Sequence, residues 1–366
     1  MDSNSEKMNA GQKRMPSWLI LGAIVLAAFV LRILMVLTRP MVQLDETIYA
    51  RMAENLINGL GYIDLTGAPT AHFSPLFPKL MAVVSMVLND YVVSGYAVAA
   101  VFGSLIMIPT YLLGKSLINE RVGLMAAALL AVLPLFVDYS SRIYGENVYV
   151  FLLMFFLYFS WNMLKKHQLV NGALAGVFLG IAYLANPSTV FYFVTLAVLA
   201  AVVAVRQGAK REMVKPMALF LVAFSIFAIP YLIFLHDVTG KWTYTGKESY
   251  EHVFAASRNL RYGSPEWERE AGALTEDGRE SWVDRSQKTE DLITFFINHP
   301  RQAASMFANQ SQVLYTEQLA RVMPLWLLPL IGLGLFSRDW DRRRAAAVGY
   351  MLLMMSPALI ILAMYA

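Results

Sequence analysis

Long apolar runs, repeated along most of the chain, limit its fold more than any other feature of the sequence. Several of them approach the roughly 20 residues that an α-helix needs to cross the hydrocarbon core of a bilayer. Of the 366 residues, 57% are hydrophobic and only 15% are charged, whereas a soluble domain carries about 25% charged residues. The sequence therefore predicts an all-α polytopic membrane protein.

The distribution of Lys and Arg predicts the topology, because short loops rich in these residues stay in the cytoplasm. With nine spans and a cytoplasmic N-terminus, 15 of the 30 Lys and Arg fall in cytoplasmic segments. The apolar run 75–88 is too short for a span, since it would cover roughly 20 Å of a core about 30 Å thick. It also contains Lys79, so we expect it to lie in the membrane interface. The nine predicted spans are residues 17–38, 93–114, 123–137, 147–164, 171–185, 190–205, 216–235, 324–336 and 345–365.

This topology divides the chain into four regions. The regions are a cytoplasmic tail (1–16), a transmembrane module (17–235) that includes the first outer loop (39–92), a large extracytoplasmic loop (236–323) and C-terminal spans (324–366). The chain stops inside an apolar run, which favours a truncated or minimal form.

The absence of cysteine excludes disulfides and thiolate chemistry. The net charge of +4 follows from the topology, so no nucleic-acid partner is predicted.

Two adjacent carboxylates, Asp45 and Glu46, follow the first span in the first outer loop. Residues 47–60 after them have the periodicity of an amphipathic helix. Asp45 is either the N-cap of this helix, with Glu46 complementing the helix dipole, or a catalytic carboxylate that meets a lipid-linked substrate at headgroup depth.

Further polar residues are predicted on the same outer side. His72, Lys79 and Arg142 can bind phosphate, and the planar guanidinium of arginine suits phosphate oxygens best. Each has a structural alternative as well. Lys79 could extend its amine to the membrane interface, and His72 could be an ordinary surface histidine. Arg142 could pair with Glu146 or with lipid headgroups. Glu146 could complement a helix dipole.

The order of these motifs resembles a known family. After the first span come Leu44-Asp-Glu-Thr-Ile-Tyr-Ala50, a Pro75-Leu-Phe-Pro78 interfacial helix and Tyr139-Ser-Ser-Arg-Ile-Tyr-Gly-Glu-Asn147. This pattern, over roughly residues 17–260, is similar to the C-type membrane glycosyltransferases. The nearest groups are the family 39 protein O-mannosyltransferases and their bacterial and archaeal relatives, including the lipid A aminoarabinose transferases.

The resemblance implies a fold, a reaction and a set of site residues. The fold would be a C-type bundle of about nine transmembrane helices with interfacial helices in the first outer loop. The enzyme would move a hexose, usually with inversion, from a polyprenyl-phosphate donor to a hydroxyl of a protein, lipid or glycan outside the cell membrane. Asp45 would be catalytic and Glu46 its supporting partner. The expected donor- and substrate-binding residues are Tyr49, His72, Lys79, Arg142 and Glu146.

The resemblance also leaves two points open. Several relatives begin the interfacial helix with a Glu-Lys-Pro-like motif. This chain has Phe73-Ser74-Pro75 there and lacks both the acid and the lysine, so His72 or Lys79 would substitute. No cofactor is required by the motifs, and a divalent cation stays an open alternative.

Two other classes of function are compatible with a polytopic protein. One is a lipid or sugar transporter or flippase, which would favour ionisable residues near mid-membrane; apart from Arg32, the predicted spans carry almost no charge. The other is a non-catalytic membrane scaffold that binds a partner through the large loop.

Overall fold

A computed structural model describes most of the chain. The described residues are 15–39, 44–63, 67, 69–206, 208, 210–246, 273–274, 280–281, 295, 297–313, 329, 332 and 340–365. Nearly all of the predicted cytoplasmic tail, of the predicted span 324–336 and of the middle of the predicted outer loop lies outside these residues.

Regular structure in the described residues is helical, apart from one antiparallel pair of two-residue strands. The all-α prediction is therefore confirmed. The helices are α1 (Ser17–Leu37), α2 (Leu44–Ile57), α3 (Leu76–Leu88), α4 (Tyr91–Leu105), α5 (Met107–Leu117), α6 (Glu120–Val132), α7 (Pro134–Tyr139), α8 (Glu146–Lys166), α9 (Leu169–Ala185), α10 (Thr189–Arg206), α11 (Lys210–Thr239), α12 (Pro300–Val313) and α13 (Arg342–Tyr365); the strands are β1 (Ala273–Leu274) and β2 (Glu280–Ser281).

Five of the described helical segments are long and apolar enough to cross a membrane. They are α1, the α4–α5 pair (Tyr91–Leu117), α8, α10 and α11. The segments α3 and α9 are apolar but shorter. These helices support a multi-pass membrane protein. The helix α3 is short, as the sequence predicted. The count of nine spans stays a prediction.

The predicted span 123–137 is not one helix. Backbone angles at Leu133 (φ −64°, ψ 117°) are extended, and they separate α6 from α7. The physical cause is Pro134, the first residue of α7, because a proline disfavours helical geometry in the residue before it. Hydropathy alone could not reveal this break, since both short helices are apolar.

The chain divides into two compact units, of which the first contains most of the predicted site. It comprises Met1–Gly61, Leu76–Ala185 and Val214–Phe224. In it α8 packs on α9 and against α4 and α5, and α1 packs on α4 and α6. Small residues let helices approach closely, as is typical between transmembrane helices. Where α5 meets α6, a Cβ added to Gly114 would lie only 2.8 Å from the Cα of Gly123.

The short helices α2 and α3 pack on each other and on α4 in this first unit. Met52 and Ala53 of α2 are buried, as are Phe77 and Met81 of α3. Burial of one apolar face explains why α2, which carries several charged residues on its other side, forms a helix here.

The second unit comprises Tyr62–Pro75, Asn186–Met213 and Ser225–Ala366. Here α13 packs on α10 and α12. The Tyr62 hydroxyl donates a hydrogen bond to the Phe73 carbonyl oxygen at 2.9 Å. Gly246 lies directly against Ala71, since a Cβ there would come within 2.1 Å of the Ala71 carbonyl oxygen.

Candidate active site

The two adjacent carboxylates both lie in the first turn of α2. The helix begins at Leu44 rather than at the predicted Thr47, so Asp45 is inside it and is not its N-cap. Carboxylates in the first turn interact favourably with the partial positive charge of a helix N-terminus. The dipole therefore accounts for part of the preference for acidic residues here, and capping by Asp45 does not.

Glu46 and Asp45 have opposite environments although they are neighbours in sequence. Asp45 is exposed to solvent, whereas Glu46 is 1% exposed. Glu46 Oε1 accepts a hydrogen bond from the backbone nitrogen of Ile143 at 2.9 Å. Glu46 thus connects α2 to the loop between α7 and α8, and Asp45 is left accessible to solvent.

The α7–α8 loop (residues 140–145) is held in place by several hydrogen bonds. Ser141 Oγ donates to the Val137 carbonyl at 2.8 Å. Asn147 Nδ2 donates to the carbonyl oxygens of Tyr139, at 3.2 Å, and Tyr144, at 3.1 Å. Ile143 is fully buried. The loop that carries Arg142 therefore has a defined conformation.

Arg142 pairs with Asp138 rather than with Glu146, the partner that the sequence suggested. Its Nε donates to Asp138 Oδ2 at 3.1 Å, and its guanidinium lies 5.9 Å from the centre of the Tyr144 ring. A side-chain hydrogen bond also joins Arg142 to the Tyr144 hydroxyl. Burial raises the pKa of Tyr144, and the nearby Glu46 and Asp45 carboxylates add to this shift although Arg142 opposes it.

Sequence reasoning missed Arg39 and Asp138. Arg39 Nη2 donates to the Asp138 carbonyl oxygen at 2.9 Å and also to Asp138 Oδ1. The available signal was weak, since Arg39 directly follows the first span and counted only as an outer-loop charge. Its partner is 99 residues away in sequence.

Tyr49 lies close to the carboxylates of α2 and α8. Its ring packs edge-on against Phe77, with the ring centres 5.1 Å apart. Burial raises the pKa of the Tyr49 hydroxyl, and the Glu146 and Asp45 carboxylates raise it further. Glu146 itself is exposed in the first turn of α8. Tyr49 therefore stays protonated near neutral pH and is suited to donate a hydrogen bond, not to act as a base.

The first unit thus brings together five of the seven site residues predicted from the sequence. Asp45, Glu46, Tyr49, Arg142 and Glu146 are linked by the contacts and electrostatic interactions given above. Lys79 belongs to the same unit and is exposed on α3, but no described contact joins it to that group. His72 belongs to the second unit, where its ring lies 5.0 Å from that of Phe73.

Comparison with known proteins supports the resemblance seen in the sequence. Residues 72–234 match the family model of the dolichyl-phosphate-mannose-protein mannosyltransferases. The predicted resemblance is confirmed. The match covers a little under half of the chain, and it includes Arg142 and Glu146 but not Asp45. No curated protein matches the chain.

A solved structure also aligns with most of the chain. It is the crystal structure of the Archaeoglobus fulgidus oligosaccharyltransferase in complex with zinc and sulfate, with 17% sequence identity and a TM-score of 0.48. The alignment covers 94% of this chain and 48% of that one, so the chain spans about half the length of the archaeal enzyme.

A bound metal ion needs several ligating side chains that lie close together. Among the residues that the structure describes, no group of three or more His, Asp or Glu side chains is arranged to hold one.

Proposed function

We propose that the protein is an inverting glycosyltransferase that moves a hexose from a polyprenyl-phosphate donor to an acceptor hydroxyl on the extracytoplasmic face of the cell membrane. The family match over residues 72–234 supports the transfer class. The observation that carries the proposal is the contrast between the exposed Asp45 and the buried Glu46 beside it. One carboxylate is accessible for proton transfer, and the other holds the loop that carries Arg142.

The reaction needs a base and a stabilised leaving group. In our proposal Asp45 takes the proton of the acceptor hydroxyl as its oxygen forms the new bond to the anomeric carbon. The bond from that carbon to the phosphate oxygen breaks, and the phosphate leaves with the electron pair. Arg142 is the cation that would stabilise the departing phosphate, and Tyr49 would donate a hydrogen bond to the donor. Glu146, exposed near Tyr49, is proposed to bind the substrate.

The remaining predicted residues have weaker support. Lys79 is exposed at the start of α3, in keeping with either a phosphate contact or a headgroup contact. His72 is proposed as a binding residue only through the resemblance. The proposed partners are the lipid-linked sugar, membrane lipids and an acceptor protein, lipid or glycan.

A transporter is less well supported than a transferase. Arg32, the charged residue inside the first span, is fully buried. Its Nη1 donates to the carbonyl oxygens of Ala28, at 2.9 Å, and Ala131, at 3.3 Å. Ala131 is near the end of α6, whose last carbonyls lack helical partners. Arg32 therefore has a structural role that does not require a transported ion.

The deciding experiment is the replacement Asp45→Asn. Asparagine has nearly the same shape but does not act as a base at neutral pH. We expect the variant to fold and to bind a radiolabelled polyprenyl-phosphate mannose, while turnover in proteoliposomes containing membrane acceptors falls by roughly 10²–10⁴-fold. Lost dipole stabilisation would cost only about 0.3–1 kcal/mol.

A matched control separates this effect from a general loss of charge on α2. Glu54→Gln makes the same chemical change on α2, where Glu54 pairs with Arg51, and should leave turnover unchanged. Near-normal turnover of folded Asp45→Asn would overturn the proposed role of Asp45. Movement of label across the membrane without transfer would favour a transporter instead.

A further inference from the structure

Asp138 binds two arginines that come from different parts of the fold. Its Oδ1 accepts from Arg39, which follows α1, and its Oδ2 accepts from Arg142, in the α7–α8 loop. Its backbone carbonyl also accepts from Arg39, at 2.9 Å. Each carboxylate oxygen of Asp138 is therefore committed to a different guanidinium.

The cluster of Arg39, Arg142 and Asp138 contains two guanidinium groups and one carboxylate, so one positive charge is in excess. The side chains of Arg39, Arg142 and Asp138 are 16%, 21% and 34% exposed, so all three are largely shielded from water yet still reachable. Partial burial strengthens electrostatic interactions by lowering the effective dielectric. Such a pair of arginines is suited to a phosphate group, because guanidinium binds phosphate oxygens with directed hydrogen bonds.

We propose that Asp138 is a positioning residue that orients Arg142 toward the phosphate of the lipid-linked donor, with Arg39 held beside it. This inference rests on the proposed function, which gives Asp138 no role. An arginine side chain has many rotamers, and binding through one that is already oriented avoids the entropy of ordering it. Holding Nε on Asp138 leaves the other guanidinium nitrogens for Tyr144 and for the ligand.

Asp138→Asn tests the carboxylate without a large change in shape. The two arginines bind different oxygens of Asp138, and the amide replaces one of these oxygens by an NH₂ group, which cannot accept from the guanidinium that it faces. Arg39 keeps the backbone carbonyl of residue 138 as a partner, which the substitution does not touch. The variant should therefore loosen Arg142 more than Arg39.

The measurement is binding of farnesyl phosphate, a short polyprenyl phosphate, to the full chain in phosphatidylcholine nanodiscs. We expect Asp138→Asn and Arg142→Gln each to weaken binding by about tenfold or more. The double variant should bind no more weakly than Arg142→Gln alone, because Asp138 acts through Arg142. Losses that add in the double variant, or an unchanged affinity in Asp138→Asn, would overturn the proposal.

Control variants keep the test decisive. Asp90→Asn changes another aspartate to its amide at the N-cap of α4, where asparagine caps equally well, and should bind like the wild type. If Asp138→Asn does not fold, Asp138→Glu retains the charge and both oxygens but displaces them by one methylene. It should weaken binding by about two- to tenfold, and unchanged affinity would again reject the positioning role.

The outcomes also distinguish this inference from the proposed function. Wild-type protein that fails to bind farnesyl phosphate would contradict the proposed donor. Wild-type binding that is insensitive to Asp138 would contradict only the inference. Phosphatidylglycerol added to the discs should not displace farnesyl phosphate; displacement would identify the cluster as a general headgroup site and reject its assignment to the donor.

Discussion

At the scale of single residues, Asp45 and Glu46 show how neighbours on a helix acquire different environments. Successive residues in an α-helix point about 100° apart, so one carboxylate of the pair faces the protein and the other faces solvent. Glu46 is the buried one, and its hydrogen bond to the Ile143 nitrogen satisfies a buried backbone donor.

Substitutions at Glu46 should separate this structural bond from the charge. Glu46→Gln keeps an oxygen that can accept from Ile143, so we expect near-normal stability and a smaller loss of turnover than in Asp45→Asn. Glu46→Ala leaves the Ile143 N–H unpaired and should cost about 1–3 kcal/mol. Thermal unfolding of the purified variants in detergent measures the difference. Equal destabilisation by glutamine and alanine would show that the hydrogen bond to Ile143 contributes little.

At the scale of secondary structure, glycines determine how closely some helices pack. A Cβ added to Gly176 of α9 would lie 2.3 Å from the carbonyl oxygen of Phe220 in α11. A Cβ on Gly172, one turn earlier, would lie 2.2 Å from the Pro216 carbonyl oxygen. Both obstacles are backbone atoms, so side-chain rearrangement cannot relieve the overlap.

We therefore expect Gly176→Ala to destabilise the protein. The overlap forces α9 and α11 apart, with a cost of about 1–3 kcal/mol. The control is Gly22→Ala in α1, where nothing lies within 4 Å of the added Cβ and alanine favours the helix by about 1 kcal/mol. Unfolding temperatures should fall for the first variant and not for the second. A stable Gly176→Ala protein would contradict the close packing of α9 on this part of α11.

At the scale of the whole molecule, the predicted membrane topology can be tested by chemical labelling. Labelling requires exposed positions, which excludes serines of the predicted outer side that are buried, such as Ser85 and Ser141, at 5% and 0% exposed. Tyr139 and Ile118, at 45% and 49% exposed, are better sites, and Arg51 is exposed on α2.

The positive-inside pattern places Arg51 and Tyr139 outside and Ile118 inside. The protein has no native cysteine, so single substitutions report unambiguously. In intact cells, Arg51→Cys and Tyr139→Cys should react with an impermeant maleimide, and Ile118→Cys should react only after permeabilisation. Labelling of Ile118→Cys from outside would contradict the predicted orientation of this part of the chain and the proposal that the site is extracytoplasmic.

The sequence by itself determined the helical class, the approximate positions of most described helices and the family resemblance. Hydropathy, charge and motif order are properties of contiguous residues, so they can be interpreted without knowing the fold. The same local signals identified Asp45, Glu46, Arg142 and Glu146 as candidates. They did not reveal the break at Leu133, because a hydropathy pattern takes no account of backbone geometry.

Only the tertiary structure decided which partners these residues have. Glu146 and Asp138 are equally far from Arg142 in the sequence. The conformation of the α7–α8 loop selects Asp138 as its partner. Arg39 meets the same carboxylate only because α1 packs on α7. Glu46 is buried rather than exposed because α2 lies against the α7–α8 loop. Charge pairing and burial depend on distances in space, which packing of distant segments creates.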